Sequence, residues 1–144
     1  MNNPDCIFCK IAKGQIPSTK VYEDANFVAF LDIMPANKGH ILIIPKKHYI
    51  TLDHMPPDLT RGLMDVELKM AKAMVNALRP DGYNCLQNNH IAAGQLVPHA
   101  HVHIIPRYNG DKVTIDWGHE SYEGTEIEEL AKKIIDKYNE ENKK

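Results

Sequence analysis

The chain has 144 residues, a formal net charge of −2, 43% hydrophobic and 25% charged residues, the composition of one ordinary globular domain. This excludes disordered, collagen-like and mucin-like polypeptides, and the longest aliphatic run, Ile41-Leu42-Ile43-Ile44, falls far short of the roughly 20 residues that cross a bilayer. No basic footprint points to nucleic acid or a membrane surface. The opening MNNPDCIFCK lacks the form of a secretory signal, so a cytoplasmic protein is expected.

In chain order, a short helix is expected over Ile7–Lys13, capped by Asp5 and ended by Gly14. Lys20–Glu23 and Phe27–Leu31 flank the turn-prone Asp24-Ala25-Asn26 and read as a hairpin. Pro35–Gly39 is a loop. His40–Ile44 is a third strand, stopped by Pro45, and its aliphatic continuity predicts burial on both faces. Pro56-Pro57-Asp58 opens a long helix whose apolar stripe is Leu59, Leu63, Val66, Met70, Ala73 and Ala77; Arg79-Pro80-Asp81-Gly82 ends it. Tyr83–Gln87 reads as a fourth strand and Asn88–Gln95 as a loop. His99–Ile105 alternates polar and apolar residues as a fifth strand closed by Pro106. A C-terminal helix starts at Thr125, where Thr125 and Glu128 fit a capping box, with Ile127, Leu130, Ile134 and Tyr138 on its apolar side. The fold class is therefore α+β, an antiparallel five-stranded sheet with a long helix and a C-terminal helix, in one domain spanning 1–144.

Eight histidines is a high count, and three of them fall within five positions. On a strand, His99, His101 and His103 share one face while Ala100, Val102 and Ile104 point to the other. An ordinary solvent-facing strand would carry mixed polar residues, and a core strand would need partners for each imidazole. Metal binding and nucleophilic chemistry both fit. The three positions span roughly 13 Å at ~3.3 Å per residue, too far for one ion to collect all three. One end of the row is thus expected to serve structure and the centre catalysis. Cys6 and Cys9 have the C-x-x-C spacing of a redox pair or a metal half-site, or are a coincidence. The redox reading wants a preceding strand, for which five residues leave no room. Cys85 is expected to be a buried apolar residue in the fourth strand.

His99-Ala100-His101-Val102-His103-Ile104-Ile105 resembles the signature of the histidine triad (HIT) family. Four more blocks resemble the family in order: Cys6–Ile11, Phe30–Pro35, His40–His48 and Gly94-Gln95-x-Val97-x-His99. The resemblance covers about residues 5 to 108, leaving a helical extension over about 123–142. It implies a HIT-like fold and a homodimer that cleaves bonds at the α-phosphate of adenylylated substrates without a catalytic metal. Purine nucleotides such as AMP derivatives would be its partners.

In that reading His101 is the nucleophile, forming a nucleotidyl-histidine that water hydrolyses, and His103 contacts phosphate oxygens or assists the leaving group. Asp32 would hold the ribose hydroxyls, and Asn88, Gly94 and the backbone near Gln95 and Leu96 the phosphate. Asp32 could equally cap its turn, Asn88 could be a plain turn residue and Gly94 a hinge. Relatives commonly carry Ser or Thr where this chain has Leu96, which places rate and leaving-group preference in question. The resemblance also implies a structural zinc, one per chain, on Cys6, Cys9, His48 and His99, as in prokaryotic-type members. The activity expected is hydrolysis of adenosine phosphoramidates or adenylates. The alternatives are a dinucleoside polyphosphate hydrolase or phosphorylase, with Arg107 meeting an extra phosphate, and a low-turnover nucleotide sensor. A metallohydrolase is the remaining reading. Dimerisation is expected to use apolar surface that includes Met64 and Met74.

Overall fold

The computed structural model describes residues 3–143. Its chain divides into two compact units, Met1–Val113 and Thr114–Lys144. The first contains helix α1 (Ile7–Ala12), strands β1 (Lys20–Glu23), β2 (Phe27–Leu31) and β3 (Ile41–Pro45), helix α2 (Pro57–Leu78), and strands β4 (Gly82–Leu86) and β5 (Val102–Arg107). The strands form one antiparallel sheet in the order β1-β2-β3-β5-β4. The expected α+β class, strand number and long helix are all present.

β3 is buried along its whole length, because its alternating side chains enter two cores. Ile41 and Ile43, with Phe27, Ala29, Ala100, Val102 and Ile104, pack against Leu63, Val66, Met70 and Met74 of α2. Leu42 and Ile44, with Val28 and Phe30, pack on the other face against Phe8, Cys9 and Ile11 of α1. The aliphatic strand is thus the shared wall of both layers. Pro57 occupies the first turn of α2, where its missing N–H costs nothing. Arg79, left-handed at φ 52° and followed by Pro80, ends the helix. The lower half of the expected stripe is corrected: Ala71 and Met74 are buried while Ala73 and Ala77 are exposed. Met74 therefore leaves the expected exposed surface, whereas Met64 stays on it.

Four local expectations fail. Asp5 does not cap α1, whose N-cap is Cys6 without a side-chain bond. β5 begins at Val102 and runs through Pro106 instead of stopping there. Pro106 lies beyond Ile104, the last residue paired with β3, so its missing N–H costs no bond on that side. Cys85 is exposed. In the second unit, helix α3 (Glu126–Glu141) starts at Thr125, but the capping box does not form: the Thr125 hydroxyl donates to Glu129 Oε1 at 3.0 Å. Its apolar side, including Ile127, Leu130, Ile134 and Tyr138, is exposed. Among the described residues no helix is long and apolar enough to cross a membrane.

Candidate active site and metal centre

His99, Ala100 and His101 precede the regular part of β5, because Pro98 has no N–H to offer a ladder and the segment bonds elsewhere. His99 N–H donates to the Val97 carbonyl at 2.8 Å and Ala100 N–H to the Tyr49 carbonyl at 2.6 Å. The alternation of faces nevertheless persists: Ala100 and Val102 enter the α2 core, and the three histidines occupy the opposite side. His99 and His101 are buried, and His103 is half-buried.

The row divides in two. His99 belongs to a cluster with Cys6, Cys9 and His48, whose donor atoms all lie within 4.8 Å of one another and can hold a metal ion. His99 Nδ1 lies 3.4 Å from Cys6 Sγ, 3.5 Å from Cys9 Sγ and 3.2 Å from His48 Nδ1. His48 Nδ1 lies 3.3 Å from Cys9 Sγ. The other ring nitrogen of His99, Nε2, donates to the Pro45 carbonyl at 2.8 Å. That bond puts the proton on Nε2 and aims the Nδ1 lone pair into the cluster, the tautomer a metal requires. Burial holds His99 neutral, its pKa pushed down to about 4.

His101 and His103 lie at the other end, ring centroids 4.9 Å apart. His101 Nδ1 donates to the His99 carbonyl at 2.7 Å, so a neutral His101 carries its lone pair on Nε2. Burial lowers the pKa of His101, and desolvation also pushes His103 down to about 4, so both rings are neutral near pH 7.

His40, singled out only as the start of a strand, proves to be part of this group. The Ala36 N–H donates to His40 Nδ1 at 3.1 Å, which leaves the His40 proton on Nε2, 2.9 Å from His103 Nδ1. His40 therefore donates to His103, and His103 keeps its own proton on Nε2. A backbone amide fixes two imidazole tautomers in series. The only sequence sign was a histidine opening an aliphatic strand. Phe8 was also missed; its ring stands edge-on to His101 at 5.0 Å and to His99 at 5.9 Å.

Asp32 follows β2 and does two things at once. Its Oδ1 accepts the Met34 N–H at 2.9 Å, the expected turn-capping bond, while Oδ2 lies 3.9 Å from His40 Nδ1. Asn37 ties this loop to β5 by donating to the Pro106 carbonyl at 2.9 Å. Gly94 sits at φ +88°, a conformation that favours glycine, with the Asn88 amide against it.

Gln95 differs from a free ligand. Its side chain accepts from His90 N–H at 2.6 Å and donates to the Ile50 carbonyl at 2.7 Å. Its own N–H is bound to the His90 carbonyl at 3.1 Å. Gln95 is a clamp that holds His90 at an unusual φ of 67°. Leu96 is 91% exposed. Arg107 is equally committed: its guanidinium donates to Asp111, Asn84 and the Val113 carbonyl. The expectation that Arg107 meets an extra phosphate is not supported, because four of its five N–H donors are used within the protein.

The HIT domain family matches residues 13–110. An uncharacterized HIT-like protein from Methanocaldococcus jannaschii is 46% identical, over 90% of this chain and 98% of its own. The adenosine 5′-monophosphoramidase hnt1 of Schizosaccharomyces pombe is 40% identical over 92% of this chain and 97% of its own. The crystal structure of a Zn-bound histidine triad family protein from Mycobacterium smegmatis superposes with a TM-score of 0.72 at 40% identity, covering 81% of this chain and 84% of that one. With its sheet, its histidine row and these relatives in agreement, the chain belongs to the HIT family.

Proposed function

We propose that this protein is a nucleotidyl hydrolase that cleaves adenosine 5′-phosphoramidates or adenylates at the α-phosphate through His101. The observation that carries the reading is the His101 Nδ1 bond to the His99 carbonyl. It leaves a neutral imidazole with its lone pair on Nε2, a nucleophile that needs no separate base. Nε2 forms a bond to phosphorus as the bond to the leaving amine breaks. The amine departs with the bonding pair and takes a proton from solvent. Water then breaks the phosphorus–nitrogen bond of the adduct, releasing the monophosphate and restoring neutral His101. The Nε2–H of His103, set by His40, donates to a phosphoryl oxygen or the departing group. Asp32 Oδ2 accepts from the ribose. Asn88 and the chain beyond Gln95, from Leu96 onward, meet the phosphate. The phosphoramidase among the relatives supports this substrate class. The commitment of Arg107 to Asp111 weighs against a dinucleoside polyphosphate.

Cys6, Cys9, His48 and His99 are read as the ligands of one structural zinc. Tetrahedral zinc with Zn–N of ~2.05 Å and Zn–S of ~2.3 Å separates ligand atoms by roughly 3.3 Å (N to N) and 3.6 Å (S to N). The cluster shows 3.2 Å, and 3.3 to 3.5 Å, respectively. Four protein ligands leave no open position, so the metal supplies folding energy and no Lewis-acid chemistry. Two free thiolates in such a site suit the reducing cytoplasm.

Turnover is tested on one preparation with adenosine 5′-phosphoramidate and diadenosine tetraphosphate side by side. The phosphoramidate is expected to be hydrolysed at least ~10-fold faster in kcat/KM, a difference of about 1.4 kcal/mol in transition-state binding. Preference for the dinucleotide overturns the substrate class, and nucleotide binding without turnover of either makes the protein a sensor. A homodimer is part of the same reading. β4 is an edge strand, Tyr83 on it is 48% exposed, and Met64 and Leu68 of α2 are 62% and 51% exposed. Sedimentation is expected to give twice the 16.3 kDa chain mass at micromolar concentration, and a species of single chain mass there overturns the dimer.

A further inference from the structure

The geometry points to Phe8 and the Cys6/Cys9/His48/His99 cluster as positioning elements for the nucleophile: the cage and the Phe8 ring hold the tautomer and orientation of His101. The inference rests on the reading of His101 as the attacking group.

His99 faces both ways. Its side chain is gripped at both nitrogens, Nδ1 among the cage donors and Nε2 on the Pro45 carbonyl. Its main-chain carbonyl is the acceptor that puts the proton of His101 on Nδ1. The regular ladder does not hold this carbonyl, because β5 starts only at Val102. The peptide that carries it is tied on its Ala100 side to the Tyr49 carbonyl, and the His99 ring adds a second restraint, held between the Pro45 carbonyl and the cage.

Phe8 is the second arm. It lies between Cys6 and Cys9, on a helix of six residues, too short to be stable outside its packing. Its ring meets His101 at 83° and 5.0 Å, His99 at 76° and 5.9 Å, and Phe30 at 72° and 5.7 Å. An edge-on aromatic wall restricts rotation of the His101 ring about its side-chain bonds. The chain segment that brings both thiols to the cage therefore also brings the wall to the nucleophile. Cys6, Cys9, His48 and His99 would hold the metal and thereby tie the two arms together. Without it, the His99 carbonyl and α1 gain freedom, the His101 proton redistributes between its nitrogens, and the fraction with a lone pair on Nε2 falls.

The test uses full-length protein labelled with ¹⁵N-histidine, and long-range ¹H–¹⁵N correlation spectra that read the tautomer of each ring. Metal-loaded protein is compared with chelator-treated protein and with metal-loaded Phe8→Leu, which keeps all four donors. Metal content is measured in each. The loaded protein is expected to show one His101 tautomer, protonated on Nδ1. Both treatments are expected to give mixed tautomers, with kcat lowered roughly 10-fold, the weight of about one hydrogen bond, and KM changed less than ~3-fold. A single unchanged tautomer in Phe8→Leu overturns the Phe8 arm. The same result in chelated, still folded protein overturns the cage arm. If chelation unfolds the chain, the proposal stands or falls on Phe8→Leu. The tautomer is read without substrate, so this failure is separate from failure of the nucleophile assignment, which turnover by His101→Ala would reveal.

Discussion

His101→Ala is expected to lower turnover of an adenosine phosphoramidate by about 10⁴-fold or more, the scale on which an enzyme loses its nucleophile. Affinity for AMP should change only a few-fold, because in the proposed reading binding rests on Asp32, Asn88 and the chain from Leu96 onward. The substitution opens space beside Phe8, 5.0 Å from the His101 ring, so His101→Asn is the companion variant. Its side-chain amide can still donate to the His99 carbonyl, yet it offers no nucleophilic nitrogen. Both variants should fold, and both should be inactive. His103→Ala should cost less, about 10²- to 10⁴-fold, since it removes a donor to the phosphoryl or departing group and leaves the attack itself in place. Base-quenched turnover, followed by mass measurement, should find one nucleoside monophosphate on the peptide containing His101; acid would destroy such an adduct. Near-normal turnover by His101→Asn, or an adduct on His99 or any other histidine, defeats the assignment.

What sequence reading reached and what it missed follow from how far each feature reaches along the chain. The aliphatic run of β3 and the spacing of Leu63, Val66 and Met70 are local patterns, and each predicts its element because burial repeats at the element's own period. Caps failed more often. Asp5 and Thr125 have suitable side chains at suitable positions, but a cap depends on a few degrees of backbone that spacing does not encode. The Cys6, Cys9, His48 and His99 cluster, which can hold a metal ion, was visible through resemblance, although its members are separated by up to 93 positions. His40 was hidden for the opposite reason. Its role exists only because β3 lies antiparallel to β5, with Leu42 opposite His103, and because Ala36 turns its N–H back onto the ring. Gln95 and Arg107 show the converse error. Both look like ligands in a line of text, and both have committed most of their hydrogen-bonding groups to neighbouring backbone or side chains. Polar residues declare their chemistry in sequence, but only the fold says whether that chemistry is still available.

Cys9→Ser is expected to release the metal and destabilise the protein by more than any other single-atom change in the chain. Sulfur to oxygen leaves the packing nearly unchanged, so the loss measures ligation. Cys9 is 1% exposed and its thiol lies within 3.5 Å of both His48 and His99. A serine hydroxyl is a far poorer zinc ligand than a thiolate, and binding energy at a closed structural site is folding energy. If only ~5 kcal/mol of it is lost, the melting temperature falls by about 10–20 °C for a domain near this size. The remaining donors then aggravate the loss. The buried His99 keeps an Nδ1 lone pair aimed at Cys6 and His48 with no cation between them, a desolvated polar group worth about 1–3 kcal/mol. Cys85→Ser is the control, because that cysteine is exposed; its effect should stay within about 0.5 kcal/mol, with metal content unchanged. Elemental analysis and thermal melts on protein purified without chelator measure both quantities. Metal retained at one ion per chain in Cys9→Ser, or melting temperatures alike in the two variants, would remove Cys9 from the ligand set.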